Sequence, residues 1–309
     1  MTTAITPARG WFWQRLVRGY RKIRQHPDWE KFAGLNWPDR IMSEEVTDRF
    51  HAKQGRSIAR WTLTAPDGQQ CVVYLKRHYQ LARRSGVLAA FFPKKTWSPG
   101  LEEYEHLHWA ASLGLPVPRA LAAGELVGPG GRLQSFLAVE ELSGMLALHE
   151  AVPLAQQHLD ALTFQRWKRA LAVEMARLTW LLHQRAVFHK DLYLCHFYIA
   201  EADCQHLPET WRDRVFVIDL HRLAHHSVTW LWWQVKDLAQ LLYSSEVPGI
   251  TIQDRLAFWR AYRAEAGGRC GWLKRVIRMK WRLYREHNKK RKSQLIVVGV
   301  RPGSASVEA

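Results

Sequence analysis

The spacing of apolar residues divides the chain into a strand-rich first half and a helix-rich second half. Residues 57 to 77 read as a hairpin. "SIARWTLT" and "QQCVVYLKRH" are both β-prone, and "APDG" between them is a turn. "SPGLEEYEHLHWAASLGLPVP" predicts a helix: Ser98 and Pro99 start it, acidic residues fill its first turn, and Gly114 followed by Pro116 stops it. "RLQSFLAVEEL" predicts another strand, ending at Leu142, and Gly144 with the polar residues around it suits a linker. From 163 to 185, Trp167, Leu171, Leu178 and Leu182 fall at helical spacing. "HFYIA" and "RVFVIDL" read as two short strands, and everything after about 230 reads helical. The order does not alternate strand and helix as a doubly wound sheet does. It predicts an α+β chain with a small β-rich lobe and a larger helical lobe.

Composition narrows the class. The chain has 309 residues, 47% hydrophobic and 24% charged, which marks a globular protein of one large two-lobed domain or two ordinary ones. Lys and Arg number 45 against 28 Asp and Glu, a net charge of +17. That surplus fits a polyanionic partner such as anionic lipid, a phosphorylated substrate or nucleic acid. Cys71, Cys195, Cys204 and Cys270 form no C-x-x-C pair, so they predict reduced thiols rather than a zinc site or a disulfide framework. No apolar run reaches the roughly 18 residues of a spanning helix, and the basic N-terminus has no apolar segment of signal-peptide type. A cytosolic location is expected, or one at a membrane surface facing the cytosol.

Both ends are basic and aromatic. "RGWFWQRLVRGYRKIRQ" would place Phe12, Leu16, Tyr20 and Ile23 on one helical face and Arg15, Arg18 and Lys22 elsewhere. "GWLKRVIRMKWRLYREHNKKRK" repeats the design with Leu273, Ile277, Trp281 and Tyr284, among 11 Lys and Arg between 269 and 292. Such helices lie on anionic membranes, or else pack their apolar side on the domain. Nucleic acid is not an expected partner, because no recognition motif for it is present.

Candidate chemistry centres on "FHKDLYLCHFYI", residues 188 to 199, which opens like the catalytic loop of a protein kinase. Phosphoryl transfer needs a cation on the nucleotide phosphates, a carboxylate on the metal, and a second carboxylate to orient the acceptor hydroxyl and take its proton. Lys76 ends "VVYLK", and Glu103, 27 residues later in the next helix, could pair with it. Asp191 follows His189. Asp219 follows "VFVI", 28 residues after Asp191 and beyond the expected hairpin. Asp237 in "VKDL" is placed to anchor the catalytic-loop backbone, with His189 as further support.

Together, "FHKDLYLCHFYI", "VFVIDLHRL" and "VKDLAQLLYSS" resemble the lipopolysaccharide core heptose kinase family, a branch of the protein-kinase-like superfamily. The likeness extends over roughly residues 35 to 290 and includes "LNW", "LKRH", "LEEYEHLHWAASLGLPVP" and "VEEL". Its Tyr-x-Cys-His-Phe element, carried here by Tyr193, Cys195, His196 and Phe197, is absent from ordinary protein kinases. His196 stands where those kinases carry a metal-binding Asn. It is open here to three roles: weak second-metal ligand, a source of tolerance for Mn²⁺, or hydrogen-bond partner of Asp191. The sequence departs from the family's pattern at Lys190, in place of Arg, and at "WLWWQ", where the family is rich in Arg. No G-x-G-x-x-G is present. "KQGRSIARW" offers Gly55, with Arg56 and Lys53 beside it.

The resemblance implies a bilobal protein-kinase-like fold and an ATP-dependent kinase acting on a sugar of the lipopolysaccharide inner core. Heptose is the expected acceptor; a keto-sugar acid or protein tyrosine is the rival. A membrane- or polyanion-binding pseudokinase scaffold is the alternative outside enzymes. In the expected site Asp191, Lys76 and Glu103 are catalytic. ATP lies against Lys76, Gly55, Arg56 and backbone near Glu140 and Leu142, and the metal (Mg²⁺, with Mn²⁺ possible) against Asp219 and His196. Trp232 or Trp233 is expected to stack on acceptor. The expected divisions are a basic amphipathic segment at 1–34, an N-lobe at 35–142, a C-lobe at 143–292 and a flexible tail at 293–309. Partners are the core acceptor and an anionic membrane, on the cytosolic face of the inner membrane. Nothing in the sequence bears on oligomeric state.

Overall fold

The computed structural model describes residues 3–5, 12–45, 55–268 and 272–297, with side chains in 12–45, 55–268 and 272–287. The chain forms two compact units that meet at Ser143 and Gly144.

The first unit contains β1 (Thr3–Ile5), α1 (Phe12–Arg18), β2 (Tyr20–Gln25), α2 (Trp29–Ala33), α3 (Trp37–Arg40), β3 (Arg56–Thr64) and β4 (Gln70–His78). It continues with α4 (Arg83–Phe91), α5 (Pro99–Ser112), β5 (Ala120–Gly128) and β6 (Arg132–Glu140). The strands build one antiparallel sheet in the order β1-β2-β5-β6-β4-β3. The expected hairpin is β3 and β4, and the expected helix is α5. Alternation along β4 buries Cys71, Val73 and Leu75 in a core with Trp29, Trp37 and Phe136. That core is close-packed edge to face: Trp37 lies 5.8 Å from Trp29 and 5.5 Å from Phe136. Lys76, one residue out of phase with this set, points to the other face of the strand.

The N-terminal segment corrects the helical expectation. Among the described residues of "RGWFWQRLVRGYRKIRQ", only Phe12–Arg18 is helical. Tyr20 and Ile23 belong to strand β2, paired with β5 from Tyr20↔Val127 to Gln25↔Ala122. Residues 20–25 are therefore part of the first unit's sheet, not of a separate amphipathic segment. Gly19 makes the break, with φ +74 between helix and strand.

The second unit contains β7 (Met145–Ala147), α6 (Leu148–His158), α7 (Ala161–His183), β8 (Val187–Phe188), β9 (Phe197–Ala200), β10 (Phe216–Val217) and β11 (Ala224–His225). Helices α8 (Trp230–Ser244), α9 (Ile252–Glu265) and α10 (Leu273–Val297) complete it. β9 pairs with β10 and β7, and β8 pairs with β11. α7 packs on α9, and α8 on α10. Leu273 and Ile277 are buried with Val235, Leu238 and Tyr262, and Tyr284 packs against that cluster. Packing on the domain is thus the role taken by the apolar face of the C-terminal helix. The helix also runs through Val297, past the expected start of a flexible tail at 293; residues 298–309 lie outside the described residues.

Candidate active site

In the second unit, the loop from His189 to His196 is held from beneath by one buried carboxylate. Asp237, fully buried on α8, accepts from the backbone N–H of His189 at 2.9 Å and of Lys190 at 2.8 Å. It also lies 3.3 Å from His183 Nε2, and His183 Nδ1 meets Tyr262 Oη at 2.8 Å. Bonds to a buried charge are the strong ones, so the loop's conformation is fixed by α7, α8 and α9 together. Lys190 has φ +69, a backbone strain of the kind that persists where its surroundings over-determine it. His189 is fully buried and donates from Nε2 to Ile218 O at 3.0 Å. Burial holds its imidazole below the ordinary range.

Asp191 is almost buried, and its carboxylate faces cations. Arg222 Nη1 donates to Oδ2 at 2.7 Å, and Lys236 Nζ stands 3.9 Å from Oδ1. Gln240 Nε2 lies 3.4 Å from Oδ1 and donates to Tyr193 Oη at 3.0 Å. Lys236 itself donates to Lys190 O at 2.6 Å, and burial pulls its ammonium below the usual range. These contacts fix the orientation of the Asp191 carboxylate. Sequence reasoning reaches Arg222 and Lys236 only as members of the motifs "VFVIDLHRL" and "VKDLAQLLYSS", and gives Gln240 no role.

Asp219 follows β10 in the left-handed conformation, with φ +63 and ψ +50. His221 Nδ1 meets its Oδ1 at 2.7 Å, and His196 Nε2 faces its Oδ2 at 3.8 Å. His196 Nδ1 bonds Asp191 O at 2.7 Å. A backbone carbonyl can only accept, so Nδ1 carries a proton, and in the neutral ring Nε2 turns a lone pair toward Asp219. Two lone-pair atoms at that separation suit a shared cation. One carboxylate completed by phosphate oxygens and water is the common way to hold Mg²⁺. Among the described residues, no cluster of three or more His, Cys, Asp and Glu could hold a metal unaided. The residues present therefore fit a cation brought with a nucleotide, held by Asp219 with His196 alongside. The hydrogen bond expected between His196 and Asp191 is present too, to the backbone oxygen.

Trp233 sits beside this loop. Lys190 lies over its ring at 4.7 Å, Lys236 at 5.2 Å, and His226 stacks on it at 4.7 Å. Trp232 is 60% exposed, with Lys280 at 4.5 Å from its ring. The second unit also has a half-open apolar cavity of about 430 Å³ lined by Leu171, Met175, Leu241, Phe258, Ile277 and Trp281, with Arg278 and Arg282 among its other walls.

In the first unit, Lys76 Nζ and Glu103 Oε1 are 2.7 Å apart, with side chains 18% and 7% exposed. Helix α5 reaches the sheet closely because residue 100 is glycine: a Cβ there would lie 2.6 Å from Phe136 O. Gly55 has φ +74 and precedes β3, where Arg56 is exposed; Gly55 O accepts from Tyr79 N at 2.7 Å. Glu140 forms a two-pronged pair with Arg119, at 2.6 and 2.8 Å. Its N–H bonds Arg119 O, and that of Glu141 bonds Val72 O, both at 2.9 Å. These bonds occupy the N–H groups of Glu140 and Glu141.

An antiparallel-sheet unit with a Lys–Glu pair, joined to a helical unit whose Asp191 loop is pinned by Asp237, defines a protein-kinase-like protein. A solved structure, "WaaP in complex with acyl carrier protein", matches with a TM-score of 0.57 and 25% identity, over 83% of this chain and 98% of that one. Residues 44–262 match the lipopolysaccharide kinase (Kdo/WaaP) family, and the chain belongs to that family. Lipopolysaccharide core heptose(I) kinase WaaP of Pseudomonas aeruginosa is 33% identical over 162 residues, 52% of this chain and 58% of that protein. Its counterpart from Escherichia coli K12 is 30% identical over 165 residues, with the same coverage. The chain thus spans under two thirds of the length of these relatives.

Proposed function

We propose that this protein is an ATP-dependent kinase that phosphorylates a heptose of the lipopolysaccharide inner core. The observation that carries the proposal is Asp191, buried, cation-paired and fixed by a loop that Asp237 anchors. In the reaction, an acceptor hydroxyl oxygen forms a bond to the γ-phosphorus, the bond from that phosphorus to the bridging oxygen breaks, and ADP leaves. Asp191 orients the hydroxyl and takes its proton. Lys76, steadied by Glu103, neutralises nucleotide phosphates, while Arg56 and the Gly55 turn border them. Glu140 and Leu142 offer backbone groups to adenine. Asp219 and His196 would hold Mg²⁺ or Mn²⁺, which supplies charge neutralisation on the phosphates. Family membership and the names of the relatives support heptose as the acceptor.

The partner proposed beyond the acceptor is an acyl carrier protein, taken from the structural neighbour. Support comes from the apolar cavity under α10, roomy enough for part of an acyl chain, and from the basic residues of that helix. The proposed location is the cytosolic face of the inner membrane, held peripherally; no helix among the described residues is long and apolar enough to cross a membrane. The test is ATP turnover with purified core lipopolysaccharides that differ only in heptose phosphorylation. Turnover with the unphosphorylated core alone supports the proposal. Equal turnover with both, or with neither, rejects it.

A further inference from the structure

Helices α1 and α4 of the first unit pack together and leave an apolar ridge uncovered. On α1, Trp13 and Val17 are one turn apart and 60% and 67% exposed. On α4 and just beyond it, Leu88, Phe91 and Phe92 follow at helical spacing, 38%, 48% and 52% exposed. The rings are continuous: Trp13 touches Phe12 at 4.8 Å, Phe12 stacks on Phe91 at 3.5 Å, and Phe91 and Phe92 stand 6.2 Å apart. Scattered exposed apolar residues mean little, but a contiguous set marks a contact surface.

Side-chain hydrogen bonds tie the ridge to the sheet. Arg15 Nε donates to Ala90 O at 2.6 Å, and Tyr20 Oη to Ala89 O at 2.7 Å, so the last carbonyls of α4 are tied to α1 and β2. Helix α4 rests on the β5–β6 turn at Gly86, where a Cβ would lie 2.1 Å from Gly131 O. The buried Lys22 donates to Lys95 O at 3.0 Å, which fixes the segment after α4 and leaves the Lys94 and Lys95 side chains exposed.

A basic groove adjoins the ridge. An open cleft of about 1090 Å³ is lined by Arg18, Arg21, Arg83 and Arg132, together with β2, β5 and β6 residues. Arg21 pairs with Asp39, whereas Arg18, Arg83 and Arg132 have no acidic partner among the described residues. Segments 12–25, 79–101 and 126–138 contain no Asp or Glu at all.

We propose that this face, the α1–α4 ridge with the arginine groove beside it, is the protein's contact with an anionic membrane surface. Trp and Phe at the edge of an apolar ridge, rimmed by Arg and Lys, match the boundary between acyl chains and phosphate headgroups. Each basic side chain near such a surface adds attraction that salt screens. Aliphatic Val17 and Leu88 among the rings suit hydrocarbon, not stacking on bases. The surface gives a location to the membrane association proposed above and does not depend on the phosphotransfer reading. Removing the N-terminus would not test it, because that deletes β2 from the sheet; point changes at exposed positions do.

The experiment is co-sedimentation of the full chain with phosphatidylcholine vesicles containing about a third phosphatidylglycerol. Two variants are compared with the wild type: Trp13→Ser with Phe92→Ser, and Arg83→Glu with Arg132→Glu. Unchanged thermal melting and ATP binding serve as controls for folding. Expected is binding weakened about tenfold or more in each, with a flatter salt dependence only in the arginine variant. Vesicle binding equal to wild type in both variants overturns the proposal. So does a loss confined to self-association, or to binding of acyl carrier protein, with vesicle binding intact.

Discussion

Arg222 holds Asp191 through a single contact, Nη1 to Oδ2 at 2.7 Å, between a half-exposed guanidinium and a nearly buried carboxylate. The pair joins the residue after "DLH" to the loop residue proposed to receive the acceptor proton. Arg222→Ala removes the firmest cation on Asp191 and is expected to lower kcat about tenfold to a hundredfold, with little change in ATP affinity. Arg222→Lys should recover part of the loss. Steady-state kinetics of the two variants decide it: wild-type turnover in Arg222→Ala makes the contact incidental.

The metal prediction follows from the 3.8 Å approach of His196 Nε2 to Asp219 Oδ2. Asp219→Ala should abolish metal-dependent nucleotide binding, measured by titration calorimetry. His196→Asn should keep part of the turnover and alter the ratio of Mg²⁺- to Mn²⁺-supported rates, since an amide oxygen is a harder ligand than imidazole. An unchanged ratio would limit His196 to its hydrogen bond with Asp191.

Lys76 and Glu103 act as one unit at 2.7 Å. Lys76→Met and Glu103→Gln should each weaken ATP binding, and the double variant should be little worse than Lys76→Met alone, the signature of coupled residues. Additive losses in a nucleotide-binding titration would separate the two roles.

Gly100 allows α5 to reach β6 and so sets where Glu103 stands. Gly100→Ala forces a Cβ to within 2.6 Å of Phe136 O, an overpacking that costs about 1–3 kcal/mol. A melting temperature several degrees lower, with a raised KM for ATP, is expected; an unchanged melt would mean that the helix shifts at no cost.

Much of the candidate site is legible from spacing, because Asp191 and Asp219 flank a short hairpin and such local order shows in sequence. The Lys76–Glu103 pair was readable because alternation on β4 and helical spacing on α5 fix both directions. What escaped depends on distant contacts. Arg222 and Gln240 reach Asp191 across 31 and 49 residues, and no local pattern encodes that. Strand β5, "ALAAGELVG", is buried on both faces along most of its length, so it lacks alternation, and its alanines favour helix by propensity. The helical period of Phe12, Leu16, Tyr20 and Ile23 runs through what is strand β2, and Gly19 is the breaker between them. At the C-terminus, an apolar face on a basic helix fits both a membrane and a domain core, and only the packing of Leu273 and Ile277 decided between them.

The central claim is transfer of a phosphoryl group to heptose with Asp191 as the proton acceptor. Its most direct test is mass spectrometry of unphosphorylated core oligosaccharide after incubation with ATP, a divalent cation and either the wild type or Asp191→Ala. The account predicts one added phosphate located on heptose with the wild type, and a rate lower by about 10²–10⁴-fold with Asp191→Ala although that variant still binds ATP. Phosphate on the keto-sugar acid, phosphate only on protein tyrosine, or equal transfer by both proteins would contradict it.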